Sequence, residues 1–306
     1  MYQSSPYAVK RPSQTYFTRI RGLQFHYRTW GTPQPGQAPL VLVHGWMDVG
    51  ASFQFMVDAM AADRWIIAPD LRGFGLTKTP DADNFWFPDY IADLDTLLTA
   101  LVPDQAIDLV GHSLGGHVAT TYAGVRPERI RRLVNLEGFG MANTIASQAP
   151  GRYTRWLDEL AQFHQGALDL KTYESVDGVV RRLRKTNPRL TEARAQWLAR
   201  EWSEPTPDGR WEIRGHAAHK LISGQLFRAE ETIAIYQRIT SPTLFVRAEE
   251  DSLQTWWKHK FTQEEFAQRL QHIAHAETHV MHDVSHMLHH DKPEELAHLI
   301  TAFLEK

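Results

Sequence analysis

Along the chain, hydrophobic positions change their spacing in a regular order. Gln14–Ile20 and Leu23–Trp30 mix aromatic and β-branched residues with polar ones and meet at Arg21-Gly22, which predicts a β-hairpin. Leu40–Val43 is apolar without interruption, as a parallel strand buried on both faces requires. Trp65–Ala68, Ile107–Val110 and Leu133–Leu136 read as further central strands. Between them, Ala51–Ala62, Asp89–Leu101 and Leu114–Val125 carry apolar residues at helical spacing. This alternation predicts an α/β fold, a mostly parallel central sheet flanked by helices.

The alternation stops after Gly140. Residues 141–238 read as helical, with Trp156, Leu157, Leu160 and Phe163 at helix spacing; Arg181–Lys185 is a solvated helix face and Glu201–Gly209 a surface loop. Strand character returns at Thr243–Val246, followed by a helix near Gln263–His275, a strand around Thr278–Met281 and a last helix over Pro293–Leu304. The expected organisation is a sheet-forming core of residues 1–140 and 239–306, interrupted by a helical insertion. The 306 residues suit one large domain carrying such an insertion, against roughly 150 residues for a single ordinary domain.

Composition narrows the chemistry more than the fold. The chain has no cysteine, which removes disulfides, thiolate metal sites and a cysteine nucleophile together. A formal charge of −3 and the absence of a long basic run give no footprint for nucleic acid or an anionic membrane. No stretch reaches the roughly eighteen apolar residues of a membrane span, and the first thirty residues hold no apolar run like a signal peptide. A cytoplasmic protein acting on a small molecule is expected, with self-association left open.

The strand-like Ile107-Asp108-Leu109-Val110 runs into Gly111-His112-Ser113-Leu114-Gly115-Gly116 and then a helical segment. Glycines around a serine at a strand-to-helix turn allow a strained backbone that lifts the hydroxyl above the sheet edge. Val43-His44-Gly45-Trp46-Met47-Asp48, Ala68–Thr77 and Ser285-His286 ahead of Asp291-Lys292-Pro293 accompany it in a fixed order. With these motifs the sequence resembles the α/β-hydrolase superfamily over nearly its whole length, most closely its serine-hydrolase-like members with a helical cap.

The resemblance implies Ser113 as nucleophile and His286, between a short strand and the last helix, as its base. For the acid it offers two positions. Asp251, after Thr243–Glu250, resembles the usual acid loop and is preferred; Glu137, after Leu133–Leu136, resembles the acid position of the dehalogenase-like branch and is the alternative. The backbone N–H groups of Trp46 and Leu114 are implied as the oxyanion hole, and Trp46, His112 and Trp156 as substrate contacts. His44, and Asp70 with Arg72, are expected to be structural.

The other histidines of the last segment, His272, His275, His279, His282, His289 and His290, show no recognised metal-ligand spacing and are expected at the surface or in packing. No metal or cofactor is expected. The expected activity is hydrolysis of a carboxylic ester, thioester or amide through an acyl-enzyme. Ser113 stands where the resembling dehalogenases and epoxide hydrolases have Asp, which argues against both. Carbon–carbon bond hydrolysis, acyl transfer and non-catalytic ligand binding on the same fold are the alternatives. Because the insertion is aromatic and its basic residues cluster away from the aromatic positions, the pocket is expected to prefer apolar groups to charged ones.

Overall fold

Arg21 and Gly22 both adopt positive φ, 46° and 82°, and fold β1 (Gln14–Ile20) back onto β2 (Leu23–Trp30) as an antiparallel hairpin. The structure is a computed structural model describing residues 5–60 and 63–306. β3 (Leu40–Val43), β4 (Ile66–Pro69), β5 (Ile107–His112) and β6 (Ile130–Leu136) follow. In the eight-stranded sheet, ordered β1-β2-β4-β3-β5-β6-β10-β11, β10 is Thr243–Ala248 and β11 is Ala276–Met281. Apart from the pairings of β2 with β1 and with β4, the strands run parallel.

Period-two alternation divides the core. On β3, Val41 and Val43 pack with Leu109 of β5 and with α2 (Phe87–Leu101) and α3 (Leu114–Val125) on one face. Leu40 and Leu42 join Val110, Val134 and the helices α1 (Gln54–Ala59) and α11 (Pro293–Leu304) on the other. Leu42 is fully buried there. Leu42→Ala is therefore expected to destabilise the fold by about 2–5 kcal/mol, read as a lowered urea midpoint with an unchanged slope.

Some boundaries differ from those expected. The helix expected over Ala51–Ala62 opens as a 3₁₀ turn at Gly50–Phe53 and becomes α-helical only in α1; Ala61 and Ala62 lie outside the described residues. The helix near Gln263–His275 ends at Leu270 (α9, Gln263–Leu270). The chain must turn there, because His275 already accepts the Thr243 N–H and Ala276 pairs with Thr243.

Between β6 and β10 the chain forms α4 (Ala149–His164), β7 (Thr172–Tyr173), α5 (Val176–Thr186), α6 (Glu192–Trp202), β8 (Ser203–Pro205), β9 (Trp211–Ile213) and α7 (Ala229–Tyr236). The small antiparallel sheet β7-β9-β8 replaces part of the expected helix, and the expected surface loop at 201–209 instead holds the end of α6 and β8. Strands of two or three residues are too short to display a period. Arg181, Arg184 and Lys185 do face solvent on α5. Helix α7 packs on α3, where a Cβ on Gly124 would lie 2.3 Å from the Ile235 carbonyl oxygen. That close approach packs α7 against α3 of the sheet-forming core.

Candidate active site

The parallel strands β3, β5, β6 and β10 end at one edge of the sheet, where open α/β folds bind ligands. Ser113 follows β5 with φ 53° and ψ −116°, a conformation L-residues seldom adopt. Its N–H donates to the Leu136 carbonyl at 2.8 Å, and its carbonyl accepts the His117 N–H at 3.0 Å. The surrounding turn has no room for side chains: a Cβ on Gly111 would fall 2.1 Å from the Gly115 carbonyl oxygen, and one on Gly115 2.1 Å from that of Val43. This turn presents Ser113 to a cavity of about 960 Å³.

His286 lies on the loop between β11 and α10 (Leu288–Asp291). Its Nδ1 is 3.2 Å from Glu137 Oε2, and its ring meets the edge of Trp256 at a centroid distance of 4.0 Å. Glu137 follows β6 with φ 57° and is buried, at 1% exposure. Its Oε1 accepts the Ala248 N–H at 2.7 Å and its Oε2 the Ser252 hydroxyl at 2.5 Å. Burial disfavours charge on both partners. It pushes the Glu137 carboxyl above the usual carboxylate range, opposed by the bonds from Ser252 and Ala248 that favour the carboxylate, and pushes the His286 imidazole down to about 3, against the charge of Asp48. The neutral imidazole donates its one N–H, on Nδ1, to Oε2, which leaves Nε2 unprotonated at neutral pH.

The acid preferred from sequence, Asp251, is not the carboxylate at this histidine. Asp251 caps α8 (Ser252–Trp257): its Oδ1 accepts the Gln254 N–H at 3.0 Å and the Gln263 side-chain N–H at 3.2 Å, in an exposed position. The first turn of α8 claims this side chain. Strand β6 lies beside β10, and Glu137 reaches across to the backbone at Ala248.

His112 is also corrected. It is 1% exposed and does not line the cavity; its Nε2–H donates to the His286 carbonyl at 2.8 Å, anchoring the histidine loop from behind. Asp291 secures the same loop, with Oδ2 accepting the Ser285 N–H at 2.7 Å and hydroxyl at 2.8 Å, and Oδ1 accepting from the Asn187 amide at 2.8 Å. Trp156 is not a cavity wall either: it packs within 3.4 Å of the Cβ direction at Gly224, and its indole nitrogen is buried without a partner among the described residues.

Trp46 does line the cavity, 53% exposed, and its indole N–H donates to the His219 carbonyl at 3.3 Å. A Cβ on Gly45 would lie 3.2 Å from Ser113 Cβ, so the backbone entering Trp46 passes beside the serine. Leu114 opens α3, and the first N–H groups of a helix have no acceptor within it.

His44 bonds the Gly45 carbonyl and accepts the Leu71 N–H, while Asp70 accepts from His26, Gly50 and Leu76. Arg72 is paired with Asp93. These residues brace loops. His272, His275, His279 and His282 are exposed, whereas His289 and His290 are buried around the Ser52 hydroxyl at 3.0 and 2.6 Å, near Asp48. Sequence reasoning missed Trp256, His219 and Arg152 among the cavity residues. The only signal for Arg152 was its place beside the aromatic positions of α4.

Together these features define an α/β protein with a serine, a loop histidine and a buried carboxylate gathered at the carboxyl edge of its sheet. A family model described as the alpha/beta hydrolase fold matches residues 38–293, and the chain belongs to that family. It is 25% identical over 286 residues to a serine hydrolase-like protein of Danio rerio, covering 91% of this chain and 84% of the relative. A 2-hydroxymuconate semialdehyde hydrolase of a Pseudomonas species is 29% identical over 210 residues, covering 65% of this chain and 69% of the relative. Among solved structures, the thioesterase domain from the curacin biosynthetic pathway has a similar fold, with a TM-score of 0.81 at 24% identity, covering 95% of this chain and 99% of that domain. Among the described residues no helix is long and apolar enough to cross a membrane.

Proposed function

We propose that this alpha/beta hydrolase is a serine hydrolase that cleaves a carboxylic ester or related acyl compound through an acyl-enzyme. The observation that carries this reading is the His286–Glu137 contact on the same sheet edge as the strained Ser113 turn, which opens on the cavity. His286 Nε2 takes the Ser113 proton as Oγ bonds to the substrate carbonyl carbon, and Glu137 stabilises the resulting imidazolium. The N–H groups of Trp46 and Leu114 donate to the oxyanion. Collapse breaks the bond to the leaving alcohol, which receives the proton from His286. Water then attacks the acyl-enzyme, with the same histidine as base, and frees the acid and Ser113. The segment 141–228 serves as the cap, supplying cavity walls such as Met141, Leu221 and Phe227.

The test is a fluorophosphonate label combined with a panel of chromogenic esters. Peptide mapping is expected to place the label on Ser113, with labelling and turnover both blocked by prior modification. A protein that hydrolyses esters while Ser113 stays unlabelled overturns the mechanism. The Pseudomonas relative favours carbon–carbon bond hydrolysis as the second reading. Turnover of 2-hydroxymuconate semialdehyde well above every ester would select it.

A further inference from the structure

The cavity over Ser113 is mostly apolar, with Phe85, Phe87, Phe139 and Phe227 among its walls, yet three arginines also line it. Two are neutralised. Arg126 pairs with Asp95 at 3.2 Å and Arg228 with Glu230 at 2.8 Å. Arg152, in the first turn of α4, is different. Its Nε–H donates to the Ser223 carbonyl at 2.7 Å, and among the described residues no carboxylate lies within ion-pair distance of its guanidinium.

The acid best placed on that helix is already committed. Glu159 accepts from Arg155 at 2.7 Å with one oxygen and from the Ile222 N–H at 2.7 Å with the other. Other cavity carboxylates are also engaged: Asp95 with Tyr122 and Arg126, Glu137 with His286. Glu231 is exposed, where solvent screens it. A half-buried, permanently charged guanidinium among apolar walls, held by one bond at Nε, keeps its terminal nitrogens for another acceptor.

We infer that Arg152 is the binding site for a second, ionised carboxylate of the substrate, so that the substrate class is an acyl compound carrying an anionic group beyond its scissile carbonyl. A carboxylate matches the planar guanidinium with two parallel charge-assisted bonds, and the aromatic walls take the apolar spacer. This inference departs from the expected preference for apolar over charged groups, because Arg152 brings a charge to the cavity wall. The inference rests on the serine hydrolase reading and specifies its substrate.

The test compares esters of one chromogenic alcohol with butyrate and with succinate, the latter carrying a free terminal carboxylate. Wild type is expected to favour the hemisuccinate by about 10- to 100-fold in kcat/KM, mostly through KM, since bonds to charged groups have that worth. In Arg152→Met the hemisuccinate-to-butyrate ratio should fall close to one, Arg152→Lys should retain part of it, and Arg155→Met on the same helix should leave it unchanged. A wild-type preference for butyrate, or a ratio that survives Arg152→Met, overturns the inference while leaving the hydrolase reading in place if Ser113 is labelled. If neither ester is turned over, calorimetric binding of glutarate decides. Binding weakened tenfold or more in Arg152→Met supports the anion site even where the hydrolase reading fails, and absent or equal binding overturns it.

Discussion

Ser113→Ala is expected to lower kcat by about 10³-fold or more and to abolish covalent labelling, while the protein stays folded. The hydroxyl is the only group removed, and among the described residues no hydrogen bond of the turn depends on it. Ser113 holds its place through its N–H to Leu136 and its carbonyl to His117. Alanine carries the same Cβ at the same positive φ, so the strain at 53° is unchanged and the glycine contacts around it persist. Steady-state kinetics with a circular-dichroism melt on the same preparation make the check. His286→Ala should approach the same loss, because without the base the hydroxyl keeps its proton. Full activity in purified Ser113→Ala protein would remove the serine mechanism.

The second large effect separates two carboxylates. Glu137→Gln is expected to cost about 10⁴-fold in kcat at neutral pH, the scale found when the acid partner of a catalytic histidine is replaced by its amide. The amide is isosteric but supplies no negative charge for the imidazolium, and its NH₂ must face a donor. Both oxygens of Glu137 already accept bonds, from Ala248, Ser252 and His286, so no orientation of the amide satisfies all three. Asp251→Asn is expected to stay within a few-fold of wild type, since asparagine caps a helix about as well as aspartate and, among the described residues, the carboxylate bonds Gln254 and Gln263 alone. Kinetics on both variants, confirmed folded, provide the comparison. The opposite ordering would return the acid role to Asp251.

Much of the scaffold was legible in the chain because it rests on local rules. The apolar Leu40–Val43, the positive-φ pair Arg21-Gly22 and the helical spacing of Leu114–Val125 each state their structure within a few residues, and all three elements form at the expected positions. The serine turn was legible for the same reason. Gly111 is demanded by the backbone of Gly115, four positions on, and Gly115 by the backbone of Val43 at the end of β3.

What the sequence by itself determined was therefore the α/β alternation, the interruption after Gly140 and the identity of the strained serine. Only the tertiary structure decided which carboxylate meets His286. Asp251 and Glu137 both follow strands that end at one edge, and the choice depends on a helix cap drawing one side chain away while neighbouring strands bring the other across 149 positions of sequence. It likewise decided that His112 holds a loop from behind, that Trp156 packs inside its own segment, and that Arg152 has no carboxylate partner among the described residues. Side-chain direction and the absence of a neighbouring acid are set by contacts between distant parts of the chain, and no local pattern of residues encodes them.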